Sequence, residues 1–265
     1  MEVTGMNTFQ QAIDISNAQE LHLCTKTFSK GEFFVTCKED ATSLDLVLDM
    51  EENSSCSILL LNQVEKEVTI HVTMNMNRDS YCKMGVLDVQ NAPMTWNQKV
   101  NLLEEGANFE LISGQLCLPN MEKTGNLEVE HLAGNTYGEM KNFAVLSDEG
   151  KYEMVANGNI KNGCHEAQSH QATRVLTLGK GHSAKVVPLL LIDENQVKAS
   201  HALSIGQPDE DQLYYLQSRG LTKRQSLGLL SVGYFMPVIE MIQDEKMQEE
   251  VRMLVESKVG LYGNK

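Results

Sequence analysis

The feature that most constrains the fold is a long region of two-residue hydrophobic alternation, from about residue 21 to residue 206. Between Val68 and Met76 every second residue is apolar, and the residues between them are Thr, His, Thr and Asn. Such a period places alternate side chains on opposite faces of a strand. Turn signals such as Asn157-Gly158 separate the runs, and no helical pattern of ten residues interrupts them. The chain is therefore predicted to be mainly β.

The alternation leaves three architectures open, which are a sandwich, a barrel and a β-solenoid. The chain has no exact internal repeat, which on its own weakens the case for a solenoid. Before this region, residues 1–20 are polar, with one short helical pattern around Phe9 to Ile15. We expect these residues to form a short helix or a frayed N-terminal lead-in. The strand region then forms a core domain over residues 21–206.

The pattern changes after Gly206, and residues 207–265 are predicted to form a C-terminal helical domain of three helices. Pro208 and the acidic residues 209–211 match the chemistry of a helix N-terminus. Thr222 and Gln225 have the spacing of a capping box, which predicts the start of the second helix. The second helix carries apolar residues on two faces, and Pro237 is expected to end or kink it. Three short helices of this kind expose a docking surface.

Composition excludes several classes of partner. The formal net charge is -14, so phosphate backbones and anionic membranes would repel the chain. The longest apolar runs are too short to span a bilayer, and the N-terminus does not resemble a signal peptide. We therefore expect a cytoplasmic protein. None of the six cysteines falls in a C-x-x-C pair, and we expect most of them to be small buried hydrophobes.

One histidine stands out on the last predicted strand, Val197 to Ile205. His201 shares the parity of Val197, Ala199, Leu203 and Ile205, so it points with the apolar set. A histidine in such a place is most often a core residue bonded to a backbone carbonyl. The alternative is a metal ligand or proton relay, since a neutral imidazole can bind iron.

The sequence around this strand resembles the SufB/SufD family of iron–sulfur cluster assembly proteins. The matching text is ASHALSIGQPDEDQLYYLQSRGL, preceded by VVPLLLIDENQVK and followed by LLSVGYF. The clear match covers roughly residues 155–236. The resemblance implies a right-handed parallel β-helix followed by a small helical domain, which decides among the three architectures. It also implies a compact member, because most of the N-terminal helical segment of long bacterial members is missing.

The resemblance implies a SufD-like scaffold and not an enzyme. Its helical domain would bind the ABC-type ATPase SufC, and its β-helix would pair with a SufB-type subunit or a second copy of itself. His201 would take part in cluster assembly and is the tentative metal ligand. Ala202 and Thr173 stand where SufB-type members have glutamate and cysteine. We expect no stably bound cofactor, although a transient iron–sulfur cluster is consistent with the family.

Further candidate residues follow from these two roles. Cys164, His165 and His170 are weaker cluster-assembly candidates, because they are ligand-type residues in what is otherwise a polar turn. The candidates for SufC binding lie on the first two helices and are Tyr214, Tyr215, Arg219, Leu229, Leu230, Gly233, Tyr234 and Phe235.

Two other functions stay open from the sequence. The first is a β-solenoid adaptor that binds the ATPase but has no cluster chemistry and does not depend on His201. The second is a polysaccharide-active β-helix enzyme, which would need clustered carboxylates on one exposed sheet. The sequence has no secretion signal and no Asp-rich strand motif, which disfavours the enzyme.

Overall fold

The computed structural model describes residues 1–260 and consists of a parallel β-solenoid followed by three helices. The odd-numbered strands are β1 (Glu2–Gly5), β3 (Ala18–Thr25), β5 (Ser43–Met50), β7 (Val68–Met76), β9 (Met94–Leu102), β11 (Glu122–His131), β13 (Lys151–Ile160) and β15 (Ser183–Ile192). The even-numbered strands are β2 (Thr8–Ile15), β4 (Lys30–Cys37), β6 (Ser55–Asn62), β8 (Tyr81–Asp88), β10 (Asn108–Cys117), β12 (Tyr137–Leu146), β14 (Gln168–Thr177) and β16 (Lys198–Gly206). The helices are α1 (Glu210–Ser218), α2 (Lys223–Ile239) and α3 (Glu245–Lys258).

Consecutive strands alternate between two sheets of eight strands each. The odd-numbered strands form sheet A and the even-numbered strands form sheet B, and each strand pairs in parallel with the strand two positions along the chain. Each turn of the coil therefore adds one strand to both sheets. This topology confirms the predicted parallel solenoid and rules out the sandwich and the barrel.

The core lies between the two sheets. In β7 the five apolar residues of the alternation are buried and the four polar residues between them face outward, as predicted. Stacking such strands in register produces columns of like side chains, for example Leu44 beside Ile70 and Ile70 beside Trp96. The largest buried side chains include Trp96, Phe33 and Phe109. Of the six cysteines, five are buried and Cys24 is half-buried, which confirms the prediction for most of them.

The prediction of a helix around Phe9 to Ile15 is wrong, because these residues form β2. Phe9 and Ile13 are four residues apart, a spacing that fits one face of a helix and also one face of a strand. In the structure both side chains point into the solenoid. The predicted lead-in of residues 1–20 thus supplies strands β1, β2 and the start of β3.

Thr222 and Gln225 form the capping box of α2, as predicted. Asp209 caps α1, so Pro208, which the sequence suggests at the first helical position, lies just before the cap. Asp244 caps α3. Pro237 does not end α2, which continues to Ile239. Residues 261–265 of the predicted helical domain lie outside the described residues. Within residues 1–260, no helix is both long and apolar enough to cross a bilayer.

Helices α2 and α3 pack against the outer face of sheet B. The apolar cluster between them joins residues of strands β6 to β14 with residues of both helices, namely Leu59, Leu61, Leu87, Leu116, Val145, Leu176, Val232, Phe235, Val238, Ile239, Val251 and Val255. Gly114 makes room for this contact, because a Cβ atom there would lie 2.8 Å from the ring of Phe235. Lys258 of α3 also reaches Glu65, between β6 and β7, at 3.1 Å. The helical segment is thus packed along the side of the coil.

One ion pair is completely buried inside the solenoid. The ammonium of Lys123 lies 2.5 Å from Asp88 Oδ2 and donates a second hydrogen bond to the carbonyl oxygen of Gln90. Asp88 Oδ1 accepts the backbone N–H of Gln90. One turn earlier, Asn62 stands in register with Asp88 and accepts the N–H of Val64 in the same way. An uncharged amide side chain can therefore accept the same hydrogen bond at this turn. The negative charge of Asp88 serves only to pair with the ammonium of Lys123.

The buried Lys123–Asp88 ion pair can be tested by substitution. Lys123→Met leaves the buried carboxylate of Asp88 without its cation, so we expect the free energy of unfolding to fall by about 3–5 kcal/mol in urea titrations. Adding Asp88→Asn to this variant removes the uncompensated charge and should recover part of the loss. Lys185→Met breaks the exposed ion pair with Glu153 and should change the stability by less than about 1 kcal/mol. Equal losses of unfolding free energy in Lys123→Met and Lys185→Met would contradict the burial of the Lys123–Asp88 pair.

Candidate functional site

The last turn of the solenoid is open. Strands β15 and β16 are the edges of sheets A and B, and no residue of β16 is buried within the described part of the chain. Inward-facing residues that would be core in an earlier turn, such as Leu203 and Ile205, are more than two-fifths exposed. Leu189 and Leu191 on the outward face of β15 are also exposed. A free sheet edge next to apolar surface is a site for pairing with another chain.

His201 lies at this open end. It is in register with Gln171 of β14, which is buried and points into the solenoid. His201 therefore has the inward parity that the sequence predicts, but no following turn covers it. Within residues 1–260 its imidazole has no hydrogen-bond or ion-pair partner. The structure thus disagrees with a core histidine bonded to a backbone carbonyl and leaves both ring nitrogens available.

The interior below His201 is polar. Asn142, Ser169, Gln171 and Thr173 are buried on the inward faces of β12 and β14. Thr173, which the resemblance is expected to place at the SufB-type cysteine position, is in register with Leu203 of β16. The amide of Gln171 donates to the carbonyl oxygen of Leu189 across the coil at 2.8 Å. His201 therefore continues a row of polar side chains and is not isolated in an apolar core.

The other three ligand-type candidates do not converge on His201. Cys164 is buried in a corner, where its thiol donates to the carbonyl oxygen of His131, and burial raises its pKa. His165 lies on the surface, 3.4 Å from Glu194. His170 points outward from sheet B, lies tilted beside the ring of Tyr137 with 5.7 Å between ring centroids, and forms a hydrogen bond with Ser200 at 2.8 Å. Within residues 1–260, no group of three or more His, Cys, Asp or Glu residues could hold a metal ion.

The candidate partner residues divide between exposed and buried positions. Helix α1 has no buried residue, and the rings of Tyr214 and Tyr215 are largely exposed. Arg219 ends α1 with its guanidinium 5.9 Å from the ring of Tyr215. On α2, Leu229 is exposed, whereas Phe235 is fully buried against sheet B. Phe235 therefore supports the position of α2 and is not accessible to a partner in this conformation.

The remaining residues of α2 fall between these extremes. Gly233 is exposed with no atom within 4 Å of where a Cβ would lie, and Leu230 lines a shallow apolar depression with Tyr215 and Leu216 of α1. Tyr234 is half-buried and meets Phe143 of β12 edge to face. The accessible apolar surface is therefore formed by α1 and the first half of α2. It is continuous in sequence with the strand that carries His201.

Comparison with known proteins decides the family. The family model described as SUF system FeS cluster assembly, SufBD core domain, matches residues 10–234. The chain belongs to this family. It is 33% identical over 213 residues to the iron–sulfur cluster assembly protein SufD of Bacillus subtilis, an alignment that covers 78% of this chain and 48% of that protein. It is 25% identical over 150 residues to SufD of Escherichia coli, covering 55% of this chain and 35% of that protein.

The similarity reaches beyond these two bacteria. The chloroplastic protein ABCI7 of Arabidopsis thaliana is 23% identical over 158 residues, which is 59% of this chain and 33% of that protein. The chain spans about half the length of the Bacillus protein and a smaller share of the others. The match to the family model extends through nearly all of the solenoid, including the early turns in which the sequence shows only a strand pattern.

Sequence reasoning missed the exposed apolar residues of the last turn. Leu189, Leu191, Leu203 and Ile205 look like ordinary strand residues, because their alternation matches that of strands in the middle of the coil. The available signal was their position: the strand pattern stops after Gly206, so nothing in the described chain stacks on these strands.

The buried His131 gives a prediction of pH dependence. Burial lowers its pKa from 6.5 to about 4, while its Nδ1 bonds the hydroxyl of Thr136 at 2.8 Å. Between these two pH values the unfolded chain binds a proton that the folded chain does not, so stability falls as the pH falls and this contribution is lost below pH 4. The shift corresponds to about 3 kcal/mol.

The variant His131→Asn keeps a donor near Thr136 but does not titrate in this range. We expect its free energy of unfolding, measured by urea titration at a series of pH values, to fall less steeply than that of the wild type across this window. The matched control is His71→Asn, which replaces an exposed outward-facing histidine of β7. A His131 variant with the pH profile of the wild type would show that the buried imidazole is not the cause.

Proposed function

We propose that this chain is a scaffold subunit of a SUF-type iron–sulfur cluster assembly complex. It binds a SufC-type ABC ATPase through its helices and pairs through its last turn with a SufB-type subunit or a second copy of itself. The observation that carries the proposal is the open terminal turn, with an unpartnered His201 beside exposed apolar edge strands, in a chain of the SufBD core family. Its role is to hold and position other components, so we do not assign it a catalytic activity.

The pairing role is supported by the cost of leaving the last turn uncovered. Strands β15 and β16 expose unpaired backbone groups together with Leu189, Leu191, Leu203 and Ile205. Stacking a second edge strand on them would bond these groups and remove the apolar side chains from water. His201 would then lie at the boundary between the two subunits.

His201 is placed to act on a cluster that is assembled at this boundary. The cluster is the cargo of the complex, and its remaining ligands would come from the partner subunit, because Ala202 and Thr173 of this chain carry no ligand group. A neutral imidazole can bind iron directly or relay a proton. The polar row of Ser169 and Gln171 beneath it offers hydrogen-bonding groups on the protein side.

The ATPase role is supported by α1 and the exposed face of α2. These helices present Tyr214, Tyr215 and Leu229 to solvent, and tyrosine is enriched at the centre of protein interfaces. Helix α2 also packs against strands β8, β10 and β12 through its buried face. A force applied to α1 and α2 by a nucleotide-driven partner would therefore be transmitted to sheet B and, through Gly206, to β16.

The docking surface can be tested by substitution. Tyr215→Ala and Leu229→Ala should each weaken binding to a co-expressed SufC-type ATPase by about tenfold or more, which corresponds to about 1.4 kcal/mol, as measured by titration calorimetry. Both side chains are exposed, so thermal stability should not change. The control is Phe28→Ala, which removes an exposed aromatic ring from the turn between β3 and β4. If the Phe28 variant loses as much affinity as the others, the surface is placed wrongly.

The role of His201 is tested separately. His201→Ala should abolish or strongly reduce cluster assembly in a reconstituted complex, while ATPase binding and the thermal midpoint stay at the wild-type values. His170→Ala is the matched control, because His170 is on the neighbouring strand but faces the opposite side of sheet B. Full assembly by the His201 variant would favour the alternative function, a β-solenoid adaptor that has no cluster chemistry.

A further inference from the structure

A pair of cysteines lies inside the solenoid, far in sequence from the last turn. Cys56 of β6 and Cys82 of β8 are in register on neighbouring parallel strands, and both point inward. Their sulfur atoms are 3.9 Å apart. Paired strands are separated by about 4.8 Å, which is within the range of Cα separations that a disulfide can bridge. The sulfurs must approach from 3.9 Å to the bonded distance of about 2.0 Å, which the spacing of paired strands permits.

The other four cysteines have no such neighbour in the described chain. Cys37 and Cys117 are buried singly at the ends of β4 and β10, and burial raises the pKa of each to about 12. Cys24 is half-buried on the outer face of sheet A, and Cys164 donates to a carbonyl oxygen. All six are free thiols in this structure. The contact of Cys56 with Cys82 is therefore a specific feature of two adjacent turns.

The pair is near a route to solvent. Residues 55–57 line an open cleft of about 590 Å³ on the outer side of sheet B, bordered by Lys30 and Lys83, whereas the Cys56 thiol points away from this cleft into the solenoid. Cys82 is completely buried behind it. Its contact with Cys56, together with burial, holds the pKa of the Cys82 thiol well above its ordinary value. Cys56 keeps 3% of its surface exposed and Cys82 none, so Cys56 meets a small oxidant first and Cys82 reacts with the product.

We propose that Cys56 and Cys82 form a redox-active dithiol that a peroxide converts into an intrachain disulfide between β6 and β8. The Cys56 thiolate attacks one peroxide oxygen and becomes a sulfenic acid, and the leaving hydroxide takes up the proton that Cys56 released, giving water. The Cys82 sulfur then attacks the Cys56 sulfur and expels the hydroxyl group, which leaves as a second water with the Cys82 proton. The protein loses two protons and two electrons, and the peroxide is reduced to two molecules of water.

The disulfide would affect the surface of sheet B on which α2 and α3 pack. Strands β6 and β8 carry Leu59, Leu61 and Leu87 on their outward faces, which form part of the cluster under α2 and α3. A covalent bond between them fixes two of the turns on which the helical segment packs. The dithiol belongs to the solenoid alone, so its oxidation is independent of the proposed ATPase and cluster roles.

The test uses the full chain with Cys24→Ser, which removes the half-exposed thiol. The folded protein is treated with hydrogen peroxide, unfolded in an alkylating reagent and digested for mass spectrometry. The expected product is a linked pair of peptides that contain Cys56 and Cys82, which dithiothreitol separates. Cys56→Ala and Cys82→Ala should each abolish it, whereas Cys37→Ala and Cys117→Ala should leave its yield unchanged.

Three outcomes would overturn the inference. The first is complete alkylation of Cys56 and Cys82 after peroxide treatment, which would show that the folded chain does not bring them together for reaction. The second is a disulfide that joins other cysteines in comparable yield. The third is a Cys56–Cys82 disulfide that appears only when oxidation is carried out in urea. The peptide map of the parent protein decides between these outcomes even if a buried alanine variant fails to fold.

Discussion

The in-register pairing of parallel strands is the constraint on which the other features depend. Each strand of the solenoid forms backbone hydrogen bonds only with the strands one turn before it and one turn after it. The neighbours of a side chain are therefore the residues in register with it on those two strands. Because neighbouring strands are about 4.8 Å apart, a group that points inward always meets its counterpart in the next turn. The contact between Cys56 and Cys82, the column that includes Asn62 and Asp88, and the position of His201 beside Gln171 all follow from this register.

The same constraint explains what could be predicted from the sequence. Val68–Met76 was predicted to its exact residues, because a long strict alternation has only one structural interpretation. Phe9–Ile15 was misassigned because its few apolar residues fit two periods equally well. The capping box of α2 was predicted from local chemistry, since a Thr at the N-cap acts within three residues. The choice of a solenoid needed the family resemblance, because alternation alone does not say which strands pair.

Long-range contacts were not predictable from one sequence. Lys123 and Asp88 are 35 residues apart, and nothing in either segment indicates that a corner of the coil brings them together. The docking of α2 on sheet B depends on Gly114, whose missing side chain matters only because Phe235 lies above it. Of the site residues, the inward parity of His201 was predicted correctly, but its exposure depends on the absence of a covering turn. That is a property of the position in the coil.

The packing of α2 and α3 along sheet B also changes how the coil behaves as a cooperative unit. A solenoid with only nearest-neighbour contacts resembles a one-dimensional chain, in which each turn can open almost independently of distant turns. The helices touch strands from β6 to β14 at once, so they link turns that have no direct contact with one another. Local opening of one of these turns therefore costs contacts shared by several. Strands β1 to β3, β15 and β16 lie outside that linkage and are the segments whose amide hydrogens should exchange first.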